Sequence, residues 1–78
     1  MKIKPTTKTS KLYEQCRTRA VARRQYHNED HIPLCVFIYR EARQMYDDDP
    51  KLSHRNLMRY VLATMPEDVK ASWNIKDI

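Results

Sequence analysis

The sequence predicts an all-α fold: a small three- to four-helix bundle with a flexible basic arm over residues 1–9 and a single helical domain over residues 10–78. Three observations carry this expectation. The chain of 78 residues contains no glycine, and tight hairpins and phosphate-cradling loops usually need glycine to reach positive φ. Hydrophobic residues make up 41% and charged residues 32%, a globular balance for one small domain. The apolar residues also recur at helical spacing, in segments divided by Pro, Asp and Asn turns.

Residues 1–9 are polar, rich in Thr and Lys, and hold Pro5; this is the composition of a mobile terminus. Ser10 then suits the N-cap of a helix from Lys11 to about Tyr26. On a 3.6-residue repeat Leu12, Cys16, Ala20 and His27 fall along one stripe, with Tyr13 beside it. Arg19 and Arg23 border one edge and Arg17 and Arg24 the other, so the apolar stripe is narrow and the helix weakly amphipathic.

HNED, at 27–30, breaks the pattern. Asp30 suits an N-cap, and Pro33 falls in the first turn of a second helix from His31 to about Tyr46. Leu34, Ile38, Ala42 and Met45 share its inner face. Cys35, Tyr39 and Tyr46 widen that face on one side and Phe37 on the other, leaving Arg40, Arg43 and Gln44 opposite. The run PLCVFIY also suits a buried strand, but no second strand-like run exists to pair with it.

The turn DDDP, at 47–50, leads to a third helix that begins at Pro50 or after Ser53 and runs to about Met65. Leu57, Tyr60, Val61, Thr64 and Met65 form its inner face, with Arg55 and Arg59 stacked four apart outside. Pro66, Glu67 and Asp68 open a short last helix, with acids near its positive end. Thr64 and Glu67 have capping-box spacing, and Val69 and Trp73 share the face that closes the core.

The marks Pro33, Phe37, Glu41-Ala42-Arg43, Pro50-Lys51-Leu52-Ser53, Pro66-Glu67-Asp68, Lys70 and Trp73 resemble in their order those of an HMG box, over about half the chain. The sequence departs from that pattern. The third-helix region lacks the family's Gly and Trp, the spacing is short, and the basic helix before Pro33 has no counterpart. No residue role is carried over from the resemblance.

Charge gives the main functional expectation. Residues 1–27 hold eight Lys/Arg against the single acid Glu14, whereas residues 28–78 hold seven bases and nine acids. A basic end on a nearly neutral body suits a polyanion partner. Arginine binds phosphate well because its planar fork is always charged and donates in pairs. Lys8, Lys11, Arg17, Arg19, Arg23 and Arg24 are therefore the candidate nucleic-acid-binding residues, assisted by Arg55 and Arg59. With Asn56 nearby, the third helix also suits the reader of a degenerate helix-turn-helix, but the turn before it is long, acidic and without Gly, and a plain exposed face is the preferred reading. The expected function is that of a small regulatory or accessory nucleic-acid-binding protein, on DNA or RNA, in the general style of phage and plasmid factors. The alternative is an inhibitor or adaptor docking on an acidic protein surface through exposed Phe37, Tyr39 or Trp73. A homodimer is compatible with either.

Other classes find little support. Cys16, His27, His31 and Cys35 are zinc-ligand residue types with H-x3-H spacing, but the cysteines lie far apart and fit apolar stripes; no metal or other cofactor is expected. Asp47, Asp48 and Asp49 lack the rest of a calcium loop. Nothing marks a base, an orienting group or an oxyanion hole, so no enzyme is expected. No apolar run approaches the roughly 20 residues that span a bilayer, and MKIKPTTKTS lacks the apolar centre of a secretory signal. Two cysteines in such a chain suggest free thiols in a reducing compartment, cytoplasmic or nucleoid-associated.

Overall fold

The computed structural model describes residues 6–28 and 31–76, and these form four helices: α1 (Thr7–His27), α2 (Leu34–Asp48), α3 (Leu52–Thr64) and α4 (Glu67–Ser72). The all-α class is as the sequence predicts, and no strand occurs among the described residues. The first three helices pack against one another in every pairing, α1 against α2 most extensively. Val69 of α4 and its C-cap Trp73 pack against the core.

Helix α1 begins before Ser10. Thr6 is its N-cap: the Oγ1 accepts the Thr9 backbone N–H at 3.2 Å and donates to the Thr9 hydroxyl at 3.0 Å. A threonine caps nearly as well as a serine, and the earlier start lets Thr9 turn inward, where it is buried. Lys8 therefore stands on the first turn of α1 and not on an arm; residues 1–5 of the expected arm lie outside the described residues. The C-terminus of α1 shows how a glycine-free chain ends a helix. Asn28 adopts φ 54° and ψ 42°, and its N–H returns to the carbonyls of Arg24 and Gln25. Asn74 does the same after α4, where the Ile75 N–H reaches the Lys70 carbonyl at 2.8 Å and closes a Schellman turn. Asparagine tolerates the left-handed region better than other residues with a Cβ.

The expected start of α2 at His31 is three residues early. A proline ring disfavours helical backbone in the residue before it. Ile32 thus stays outside the helix, Pro33 becomes the N-cap with ψ 142°, and the helix starts at Leu34. The proposed Asp30 cap lies outside the described residues. The same effect ends α3: Met65, before Pro66, is extended at φ −80° and ψ 137°. The Thr64–Glu67 capping box does not form, because the Thr64 hydroxyl turns back to the Val61 carbonyl at 2.8 Å and Pro66 is the N-cap of α4. Pro33, Pro50 and Pro66, three of the marks shared with the HMG box, each stand close before a helix start, a place any helical chain favours.

The core is drawn from α1 to α3 and from Ile32 and Met65 at their ends. Cys16 and Ala20 enter from α1, Val36, Phe37, Ile38 and Ala42 from α2, and Leu57, Met58, Val61 and Leu62 from α3. The narrow stripe of α1 is thus sufficient: two small side chains let its backbone approach α2 closely. Tyr13 adds an edge-to-face contact with Tyr60 of α3, with ring centroids 5.1 Å apart. His27, placed on the stripe by periodicity, is exposed at the C-terminal end of α1, and Thr64 is exposed on α3. Val36, Met58, Leu62 and His54 were not foreseen as core residues, and all four are buried. The His54 Nδ1 lies 3.1 Å from the Met45 carbonyl and 2.8 Å from the Asp49 carbonyl. Both partners are acceptors, so Nδ1 carries the proton and adds a side-chain donor to two carbonyls that already accept the Asp49 and Lys51 backbone N–H groups.

Candidate nucleic-acid interface

The helical repeat divides the basic residues of α1 into two kinds. Lys8, Lys11, Arg17 and Arg19 are exposed. No carboxylate of the described residues lies within ion-pair distance of any of the four. Arg23 and Arg24 sit closer to the packed face and hold the bundle together. The Arg24 Nε–H donates to the Ile32 carbonyl at 2.9 Å, tying the end of α1 to the chain entering α2. Arg23 Nε lies 2.6 Å from Oε1 of Glu41 on α2. The Arg23 side chain is 67% exposed and that of Glu41 only 8%. The guanidinium thus caps a buried carboxylate whose oxygen has no in-line hydrogen-bond donor.

Glu41 is a buried ion-pair partner that the periodicity concealed. It falls three residues after Ile38 and four after Phe37, on the apolar arc of α2, and an acid in such an arc is the signal that was available. A cleft of about 400 Å³ between α1 and α2 is lined by Arg23, His27, Phe37, Arg40, Glu41 and Gln44. Across it the Arg40 guanidinium lies 5.7 Å from the Phe37 ring centre and 5.9 Å from that of Trp73. These are cation–π distances, so Arg40 is held over the aromatic edge of the core with its charge facing solvent.

The ion pair makes a distinction that stability can measure. Arg23→Gln leaves the Glu41 carboxylate buried without its counter-ion. Breaking a fully buried pair costs about 3–5 kcal/mol, and exposure of the arginine reduces this through screening to about 1–2 kcal/mol. Glu41→Gln in the Arg23→Gln background should recover most of the loss in urea unfolding, as a double-mutant cycle reads it. Additive losses would show that the two side chains are not coupled.

Arg55, Asn56 and Arg59 are exposed on the side of α3 opposite its buried His54, Leu57, Met58, Val61 and Leu62. The loop between α2 and α3, Asp49-Pro50-Lys51, is held by the Lys51–Asp49 ion pair at 3.3 Å. Arg55 and Arg59 thus stand on α3, and the other six candidate residues on α1.

The zinc-type array does not assemble. Cys16 is fully buried with its Sγ 3.5 Å from Met45 Sδ, Cys35 is half-buried, and His27 and His31 are exposed. Among the described residues no group of three or more His, Cys, Asp or Glu is placed to hold a metal ion. Asp47 pairs with Arg43 at 3.1 Å and Asp48 with Gln44 at 2.8 Å along α2. No helix among the described residues is long and apolar enough to cross a membrane.

Burial and the nearby Glu41 carboxylate push the Cys16 thiol above its ordinary range, against an opposing pull from Arg19. The folded state therefore holds the thiol proton more tightly than the unfolded chain does. The stability linked to this group is complete below the ordinary thiol pKa and declines as pH rises beyond it. Urea midpoints should fall between pH 8 and pH 10, and Cys16→Ala, although less stable overall, should show a shallower fall. An unchanged slope in that variant would remove Cys16 as the cause.

No family model, curated protein or solved structure matches this chain.

Proposed function

We propose that this chain is a small non-enzymatic nucleic-acid-binding protein of regulatory or accessory type, which engages the phosphate backbone with the outward side of α1. The observation that supports this reading is that Lys8, Lys11, Arg17 and Arg19 of α1 are all exposed with no described carboxylate at ion-pair distance, Lys8, Lys11 and Arg19 on one side of the helix and Arg17 on its other edge. Elsewhere, described acids have local partners: Asp47 with Arg43, Asp49 with Lys51, Glu67 with Lys70. Holding like charges together on one helix is unfavourable in the isolated protein, and phosphates relieve it. Arg23 contributes partly, since its pairing with Glu41 leaves it solvent-facing. Arg24 serves mainly to fasten α1, and Arg55 and Arg59 form a secondary surface on α3.

The adaptor reading gains less from the geometry. Of its three aromatic anchors, Phe37 is buried, and Tyr39 and Trp73 pack against the core. The deciding experiment is fluorescence anisotropy of labelled duplex DNA, single-stranded DNA and a structured RNA across a salt series. About four phosphate contacts should give a log–log slope near −3. Weak binding at low salt to all three ligands would overturn the proposal in favour of an acidic protein partner.

A further inference from the structure

The outward row of α1 ends in an aromatic residue. Tyr26 is 85% exposed, the most exposed large hydrophobic side chain among the described residues. A lone exposed aromatic is ordinary; its company is what makes this one informative. Lys8 and Tyr26 lie five helical turns apart on the same line of α1, about 27 Å at 1.5 Å per residue. Gln15, Arg19 and Ala22 fall close to that line, at helical spacing between them. The line contains no acid. Ala22, one turn before Tyr26, is too small to cover the ring, and His27 meets it only edge-on, with centroids 5.1 Å apart and planes at 85°. A ring face is thus presented to solvent one turn from Arg23 and two turns from Arg19 along α1, and its neighbour His27 lines the cleft with Arg23 and Arg40.

We infer that the ligand of this surface is nucleic acid with unpaired bases, a single strand or a loop, and that Tyr26 stacks on a base while Lys8, Lys11 and Arg19 follow the phosphates. This rests on the proposed function and narrows its ligand class. Duplex DNA buries its base faces in the stack, so an exposed tyrosine adds nothing to contacts with its backbone. Unpaired bases offer a free face, and stacking combined with a basic track is how sequence-tolerant single-strand binding is built. A purely apolar protein partner suits the surface poorly, because Tyr26 is the one large apolar residue on a row of cations.

The test compares wild type, Tyr26→Ala and Tyr26→Phe on labelled oligothymidylate, an RNA hairpin with an unpaired loop, and a DNA duplex of equal length. Wild type should prefer the first two. Tyr26→Ala should lose about tenfold on them and less than twofold on the duplex, with the salt slope unchanged because no charge is removed. Tyr26→Phe keeps the ring and should restore binding. Circular dichroism should show all three proteins equally helical, since the side chain is exposed. A steep salt slope with tighter duplex binding, or with no effect of Tyr26→Ala, would overturn this inference and leave the backbone-binding proposal standing. Absence of salt-dependent binding to every ligand would overturn both.

Discussion

Leu57→Ala should lower the unfolding free energy by about 3–5 kcal/mol. Leu57 sits in the middle of α3 with 0% exposure, and it is among the largest fully buried side chains of the core. Its truncation removes transfer free energy and leaves a cavity that the surrounding helices close only in part. The chain is short, so the whole domain is stabilised by roughly 4–12 kcal/mol. One such loss removes a large share of it. The expected fall in Tm is more than about 12 °C, at roughly 4–8 °C per kcal/mol for a domain of this size. Leu52→Ala provides the internal comparison. Leu52 opens the same helix but is 70% exposed, and its truncation should change stability by less than about 0.5 kcal/mol. Similar losses at both positions would mean that α3 does not pack through the face described.

Changing Lys8, Lys11, Arg17 and Arg19 together to Gln should abolish high-affinity nucleic-acid binding while leaving the fold intact. Each phosphate contact removed lowers the magnitude of the log–log salt slope by about 0.7–0.9, so the four together should bring it from near −3 to near zero. The loss in affinity at 0.1 M salt should reach at least a hundredfold. Glutamine keeps helix propensity, and the four positions have no described ion pair to lose, so the urea midpoint should hold or rise as like-charge repulsion is relieved. The paired change Arg55→Gln with Arg59→Gln should cost far less. The reverse ranking would transfer the interface to α3 and favour the helix-turn-helix arrangement. Retained affinity in the four-residue variant would remove α1 from the interface altogether.

The helical class, the number of helices and part of the core of α2 and α3 were legible in the one-dimensional pattern, whereas the buried Val36, Met58 and Leu62 were not placed on the inner faces. Leu57, Val61 and Met65, or Ile38 and Ala42, recur on a period that only a buried helix face explains. Helix starts were less legible, and for a local reason. Pro33 excludes Ile32 from α2 and Pro66 excludes Met65 from α3, yet a proline is also compatible with the first turn of a helix. Spacing alone does not choose between these two uses. Thr6 and Ser10 likewise compete as caps on equal chemistry, and the inward turn of Thr9 decided between them.

The candidate site divides in the same way. Composition and charge asymmetry specified a basic first helix, because counting charges needs no fold. Which of those cations remain available was decided by packing. Arg19 and Arg23 border the same edge of the helical wheel, yet only Arg23 meets a carboxylate, and that carboxylate comes from α2, eighteen residues on. Glu41, His54 and Tyr26 acquire their roles the same way: a buried acid, a histidine on carbonyls of another helix, and a ring left uncovered are relations between elements. Helical period and net charge are properties of neighbours along the chain, and sequence carries them directly. Burial, ion pairing and exposure depend on which faces meet across the bundle, and that is set only when α1, α2 and α3 close on one core.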